Sequence, residues 1–206
     1  MFGNLLYLPQ NRLDGVSEIK SGIAKGKKYG DTQLVEVPYI RVANVQAGYL
    51  KLGKIKTLLV RAEEIERYSL NSDDILMTEG GDIDKLARGA IWPGEISPCI
   101  HQNHVFRVRV DRKKMLPEYF AALLKTDFAR KYFLRAAKKT SNLASINKTQ
   151  LSAFLVPTPE VELQKEFANR IKAVRALETK QKQAAQDAED LFQSLLQRAF
   201  KGESYP

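Results

Sequence analysis

The sequence predicts an α+β protein. A β-rich domain of mixed or antiparallel short strands with flanking helices is expected over residues 1–158, and a long C-terminal coiled-coil helix within 159–206. Three observations lead there. Up to residue 110, short β-branched and aromatic runs alternate with turn-forming Gly, Asn and Asp. Beyond Pro117 the apolar spacing lengthens to three and four residues. From Val161 to Phe200 there is neither proline nor glycine, and forty residues of helix would run about 60 Å.

Taken in order, NRLDGVSEIKSG spaces Leu13, Val16 and Ile19 three apart, which suits a short helical turn closed by Gly22. IAKGKKYGDTQ reads as an exposed loop. VPYIRVANV reads as a strand carrying Val37 and Tyr39, with Pro38 better suited to a strand's beginning than its middle. A hairpin or loop is expected around Gly48. RAEEIERYSLNSDDILM should hold one or two helical turns and then a short strand. TEGGDIDKLARGAIW is a turn-rich loop re-entering a strand near Ala87. HVFRVRV gives the clearest alternation, with Phe106, Val108 and Val110 inward and Arg107 and Arg109 outward. Four to seven strands result. Pro117 fits a first helical turn, and the helix should reach about Ala137 with an interruption near Thr126. AFLVP is a last strand, after which Pro157 and Pro159 stiffen the exit.

The formal charge of +9 is unevenly placed: residues 1–160 hold 25 Lys+Arg against 17 Asp+Glu, whereas 161–200 hold 7 against 6. The excess therefore belongs to the β-rich part, where it favours polyanions. No apolar run approaches the length of a membrane span, so no membrane role is expected. MFGNLLYLPQNR lacks a basic leader and a small-residue cleavage site, and Cys99 is the single cysteine, so a reducing cytoplasm is the expected location.

Catalytic chemistry finds little support. CIHQNH offers Cys99, His101 and His104, but a zinc site needs about four ligands and no second cluster exists. Asp73, Asp74, Glu79, Asp82 and Asp84 lie in turn-rich sequence, where carboxylates commonly bond to nearby backbone. TEGGD matches neither GxxxxGK[ST] nor GxGxxG, and no methyl-donor motif is present. No catalytic residue, metal or cofactor is expected.

Nucleic-acid candidates lie mostly in loops. Lys25, Lys27 and Lys28 between glycines suit phosphates, or simply a solubilising loop. Arg41 and Asn44 frame a strand end and belong to types that pair with base edges; either one also suits a brace of the sheet. Asp82, Lys85 and Arg88 place donors and an acceptor close together in an irregular loop. Lys138, Lys139, Ser141 and Asn142 follow a helix end, where they would grip backbone or end the helix.

On the long helix one seam runs through Phe167, Ile171 and Val174, then Ala185, Ala188, Phe192, Leu195 and Ala199. Leu177, Ala184, Leu191 and Leu196 broaden it toward what several packed helices need. The stripe calls for a partner helix or for folding back onto its own domain. A non-catalytic coiled-coil scaffold or protein-interaction protein is the alternative to a DNA reader.

LDGVSEIKSG (13–22), VPYIRVANVQAGYL (37–50), DDILMTEGGDIDKLARGAIW (73–92) and TSNLASINKTQLSAFLVPTPEVELQKEF (140–167) together resemble the specificity subunit of Type I restriction–modification enzymes. They cover nearly the whole chain in the family's order, though PTPEVELQKEF departs from the family's usual closing signature at Pro157, Pro159 and Gln164. The resemblance covers one target-recognition domain and one conserved helix, half of a full subunit. It implies double-stranded DNA as ligand and an antiparallel homodimer that reads a palindromic bipartite target. It also implies a methyltransferase subunit and a restriction subunit as partners, which would supply the chemistry.

Overall fold

The computed structural model describes residues 7–30, 33–140 and 143–201. In chain order the elements are β1 (Gln10–Arg12), α1 (Leu13–Val16), β2 (Ser17–Ser21), β3 (Val35–Ile40), β4 (Lys56–Val60), α2 (Ala62–Tyr68), β5 (Ile75–Thr78), β6 (Gly80–Asp82), β7 (Gly89–Ile91), β8 (Ile100–His101) and β9 (Val105–Val110). There follow α3 (Pro117–Leu123), α4 (Asp127–Ala136), β10 (Lys138–Lys139), β11 (Leu143–Ser145), α5 (Lys148–Ser152), β12 (Leu155–Pro157) and α6 (Val161–Phe200). The fold class is the expected α+β. Twelve strands are described where four to seven were expected, because seven have only two or three residues, too few for alternation to register.

The largest sheet, ordered β2-β9-β5-β7, is antiparallel throughout. A second, β4-β3-β8, mixes an antiparallel pair with a short parallel one. β10-β11-β6 forms a third, and β1 pairs with β12, tying the start of the β-rich domain to its end. Apolar clusters lie around Trp92, Leu76 and Val105, and around Val37, Tyr39 and Ile100. Burying side chains of this size, at about 1.5–3 kcal/mol each, is the main force holding the short strands.

Three local expectations are corrected. Ile19 belongs to β2, so the helix at 13–16 is a single turn, and Gly22 closes a strand instead of a helix. A Cβ at Gly22 would overlap the His101 carbonyl oxygen, so close backbone approach accounts for the glycine. Pro38 sits within β3, tolerated where pairing to β8 has not yet begun; that register starts at Tyr39. Arg107 points inward: it is 2% exposed, with Nη2 donating to Glu18 Oε2 (2.6 Å) and Nη1 to the Ser69 carbonyl (3.0 Å). Arg109 clasps buried Asp74 through two bonds of 2.7 and 2.8 Å. β9 is an interior strand, and its second face carries carboxylate-paired arginines, Arg107 buried and Arg109 about a third exposed.

Pro117 opens α3 as expected, and Thr126 caps α4, its hydroxyl accepting from the Ala129 N–H (3.4 Å). Tyr132 and Phe133 of α4 pack on Phe154 with ring centroids 4.7 and 4.9 Å away.

The chain divides into two units, Met1–Gln164 and Lys165–Pro206. The second is the body of α6, whose 40 residues are continuous helix. Its polar face is laced at i,i+4 spacing by Arg170 to Glu166 (2.5 Å), Gln183 to Asp187 (2.7 Å) and Gln186 to Asp190 (2.8 Å).

Candidate nucleic-acid interface

The 82–88 loop, the 41–50 turn and the α3–α4 junction meet at one place. Arg88 Nη1 donates to Gln46 Oε1 (2.9 Å), and the Gly48 N–H donates to the Gly89 carbonyl (2.9 Å). Gly48 has φ +89°, a conformation that favours glycine, and Lys125 Cε and Nζ lie where a Cβ would stand, so the lysine lies across the turn. In the loop, Lys85 bonds Asp82, and this holds the exposed Asp82 carboxyl below its usual range. Ala87 is held at φ +53°, a conformation costly for a residue with a Cβ. Between the loop and the junction lies a cleft of about 110 Å³, lined by Ile83, Leu86, Arg88, Leu124, Lys125 and Arg130 among others.

The structure therefore brings Asp82, Lys85 and Arg88 together, and adds Lys125 and Arg130, which the sequence reading missed. Both are exposed, on either side of the helix start at Asp127. The available signal was the basic run continuing from Arg130 and Lys131 through Arg135 to Lys138 and Lys139. β10 carries Lys138 and Lys139, both exposed, and shares a sheet with β6, so these lysines stand one strand away from Gly80–Asp82. Ser141 and Asn142 lie outside the described residues.

Of the two roles its type suits, Asn44 takes the brace. It is 3% exposed and its amide is committed: Oδ1 accepts from the Arg41 N–H (3.0 Å), and Nδ2 donates to the carbonyls of Lys51 (2.8 Å) and Lys54 (3.3 Å). It braces the turn that presents exposed Lys51 and Lys54. Arg41 is half-buried, with its Nε shielded from solvent.

The lysine loop is tied elsewhere. Lys27 Nζ donates to Glu64 Oε1 of α2 (2.6 Å) and lies 6.0 Å from the Tyr68 ring centroid. Lys25 Nζ lies 5.4 Å from the Tyr39 ring centroid, and Lys28 is exposed. Burial pushes the Glu64 carboxyl toward neutrality, but bonds from Lys27 and Tyr29 outweigh it and keep Glu64 below its usual range. Lys27 is thus half engaged in structure, leaving Lys25 and Lys28 as the freer cations of the loop.

On α6, Phe167 is buried, so the exposed stripe begins at half-buried Ile171. Val174, Ala185, Ala188, Phe192 and Ala199 are exposed, and Leu195 is intermediate. Exposed Leu177 and Leu191 widen the stripe.

The histidines part ways. His101 is fully buried, its Nδ1–H donating to the Val105 carbonyl (2.7 Å), whereas exposed His104 bonds Glu79 (2.6 Å). Among the described residues no group of three or more His, Cys, Asp or Glu could hold a metal ion. Nor is any described helix long and apolar enough to cross a membrane.

Comparison with known proteins gives a consistent answer. The family described as Type I restriction modification DNA specificity domain matches residues 10–186. The Type I restriction enzyme EcoKI specificity subunit of Escherichia coli K12 is 26% identical over 198 residues, covering 91% of this chain and 41% of that protein. The crystal structure of the HsdS subunit from Thermoanaerobacter tengcongensis superposes with TM-score 0.58 at 16% identity, over 90% of this chain and 47% of that one. A chain from a structure of the type I R-M system superposes with TM-score 0.60 at 20% identity, over 97% of this chain and 52% of that one. The chain thus spans about half the length of each of these, or less.

Proposed function

The chain belongs to the Type I restriction modification DNA specificity family, and from that membership we propose that it reads DNA sequence on behalf of methyltransferase and restriction subunits. The observation that carries this reading is the family match across residues 10–186, which includes every element bearing the basic loops. In this reading the 82–88 loop and Arg41 discriminate base edges, a good bidentate contact being worth about 1–3 kcal/mol. Lys25, Lys28, Lys138 and Lys139 grip the backbone without regard to sequence. The chain contributes choice of site and no bond-making; extrusion of the target base falls to the methyltransferase.

The exposed apolar stripe of α6 supports a second copy as its occupant, antiparallel along the helix. Two-fold symmetry then makes the target a palindromic pair of half-sites. The gap is governed by a rod of about 60 Å, nearly two duplex turns at about 34–36 Å each.

Selection of random duplexes by the purified chain, with and without a methyltransferase subunit, tests the reading. A two-part palindromic sequence should be enriched. Binding that is equal for all sequences under both conditions would end the proposal.

A further inference from the structure

We infer that the cleft between the 82–88 loop and the α3–α4 junction is a phosphate seat for the DNA backbone, with Lys125 and Arg130 as its ligands beside Arg88. This rests on the reading of the chain as a DNA-sequence reader, and it assigns two residues to which the loops alone do not point. Arg88, Lys125 and Arg130 line one cleft of about 110 Å³, and no carboxylate is among its described lining residues. The neighbouring Lys85 is held by Asp82, which leaves Arg88, Lys125 and Arg130 as the cations that face the cleft. Asp127 stands in the first turn of α4 and Asp82 lies close enough to act on Arg88, but neither lines the cleft, and an anion seated among the three cations relieves their mutual repulsion.

The seat is built in advance. Gln46 fixes Arg88, Gly48 leaves room for Lys125, and the Thr126 cap starts α4 so that Lys125 and Arg130 flank its first turn. The strained Ala87 turn sets the backbone just before Arg88, a kind of strain found where geometry is functional. The cleft is far smaller than the roughly 300–1,000 Å³ of organic-ligand pockets, so a single phosphate group suits it better than a cofactor. Duplex DNA is favoured over a free anion because the basic surface continues through Lys131 and Arg135 to Lys138 and Lys139, all exposed. A phosphate held here would place the backbone beside Asp82 and Lys85, and so set the depth at which the loop meets base edges.

The test uses the full chain and its variants Lys125→Gln and Arg130→Gln, singly and together. Both positions are exposed, and folding is checked by thermal melting. Fluorescence anisotropy is measured on several unrelated duplexes across a salt series. In the double variant affinity should fall by a similar factor on every duplex, and the slope of log K against log salt should shrink by about 0.9, the value for one phosphate. Full affinity and slope in the folded double variant, with the parent chain binding normally, would overturn the seat and leave the DNA reading intact. A loss confined to one sequence would make these residues base readers and equally overturn it. Stabilisation of the parent by inorganic phosphate, abolished in the variant while duplex binding is unchanged, would assign the cleft to a free anion instead. If the parent chain binds no duplex at any salt, with or without a methyltransferase subunit, the DNA reading itself falls.

Discussion

Asn44 shows how structure chooses between two roles that a residue type leaves open. Its amide joins three backbone groups of the 41–54 segment, so Asn44→Ala leaves an N–H and two carbonyls short of partners. The expected cost is about 1–3 kcal/mol, read as a lower denaturation midpoint with unchanged m-value. An unaltered midpoint would show that the brace is dispensable. His101 gives a pH dependence. Burial pushes its imidazole from 6.5 down to about 4, so between these values the unfolded chain binds a proton that the folded chain refuses. Stability therefore falls as pH drops from about 6.5 toward 4, by about 1.4 kcal/mol per unit at most. His101→Gln should flatten that dependence between pH 6.5 and 5 in denaturant titrations; an equally steep loss in the variant would place the proton uptake elsewhere.

Among the elements, α6 depends on how its first turn is fastened. Gln164 is fully buried; its Oε1 accepts from the Leu116 N–H (2.8 Å), and Nε2 donates to the carbonyls of Lys114 (3.0 Å) and Pro159 (2.8 Å). It therefore locks the turn entering α6 to the segment entering α3. Gln164→Leu keeps the volume but orphans these groups, and a loss of about 1–3 kcal/mol is expected, with amide exchange rising first at residues 114–116. Uniform exchange rates would argue against a local lock. β2 ends under a similar constraint: a side chain at Gly22 collides with backbone at His101, so Gly22→Ala should lower the melting temperature far more than Gly15→Ala, where the added methyl meets nothing within 4 Å. Equal effects would mean the β2–β8 approach relaxes easily.

At the scale of the whole molecule, the apolar stripe along α6 is large for a surface left in water. A chain of 23.3 kDa should sediment as a dimer, and Leu191→Glu with Phe192→Glu should return it to monomer mass without loss of helicity. A monomer at micromolar concentration in the parent chain would remove the palindromic-target proposal while leaving sequence reading in place.

Some features were fixed by sequence alone because they are local. Forty residues without proline or glycine suited one long helix, Pro117 fitted a first turn, and alternation in 105–110 marked β9. The ordered motifs from 13 to 167 also carried the family, since order along a chain needs no packing to be seen. Tertiary structure alone decided which polar groups are used up and which remain available. Arg107 faces a covered surface because two strands and the 69–74 segment enclose it, and period-two alternation cannot say whether a second face is solvated. Asn44 turned inward, Lys27 found Glu64 thirty-seven residues away, and Lys125 and Arg130 came to stand beside Arg88. Long-range partners depend on how strands and loops close on one another, and no property of an isolated stretch encodes that closure.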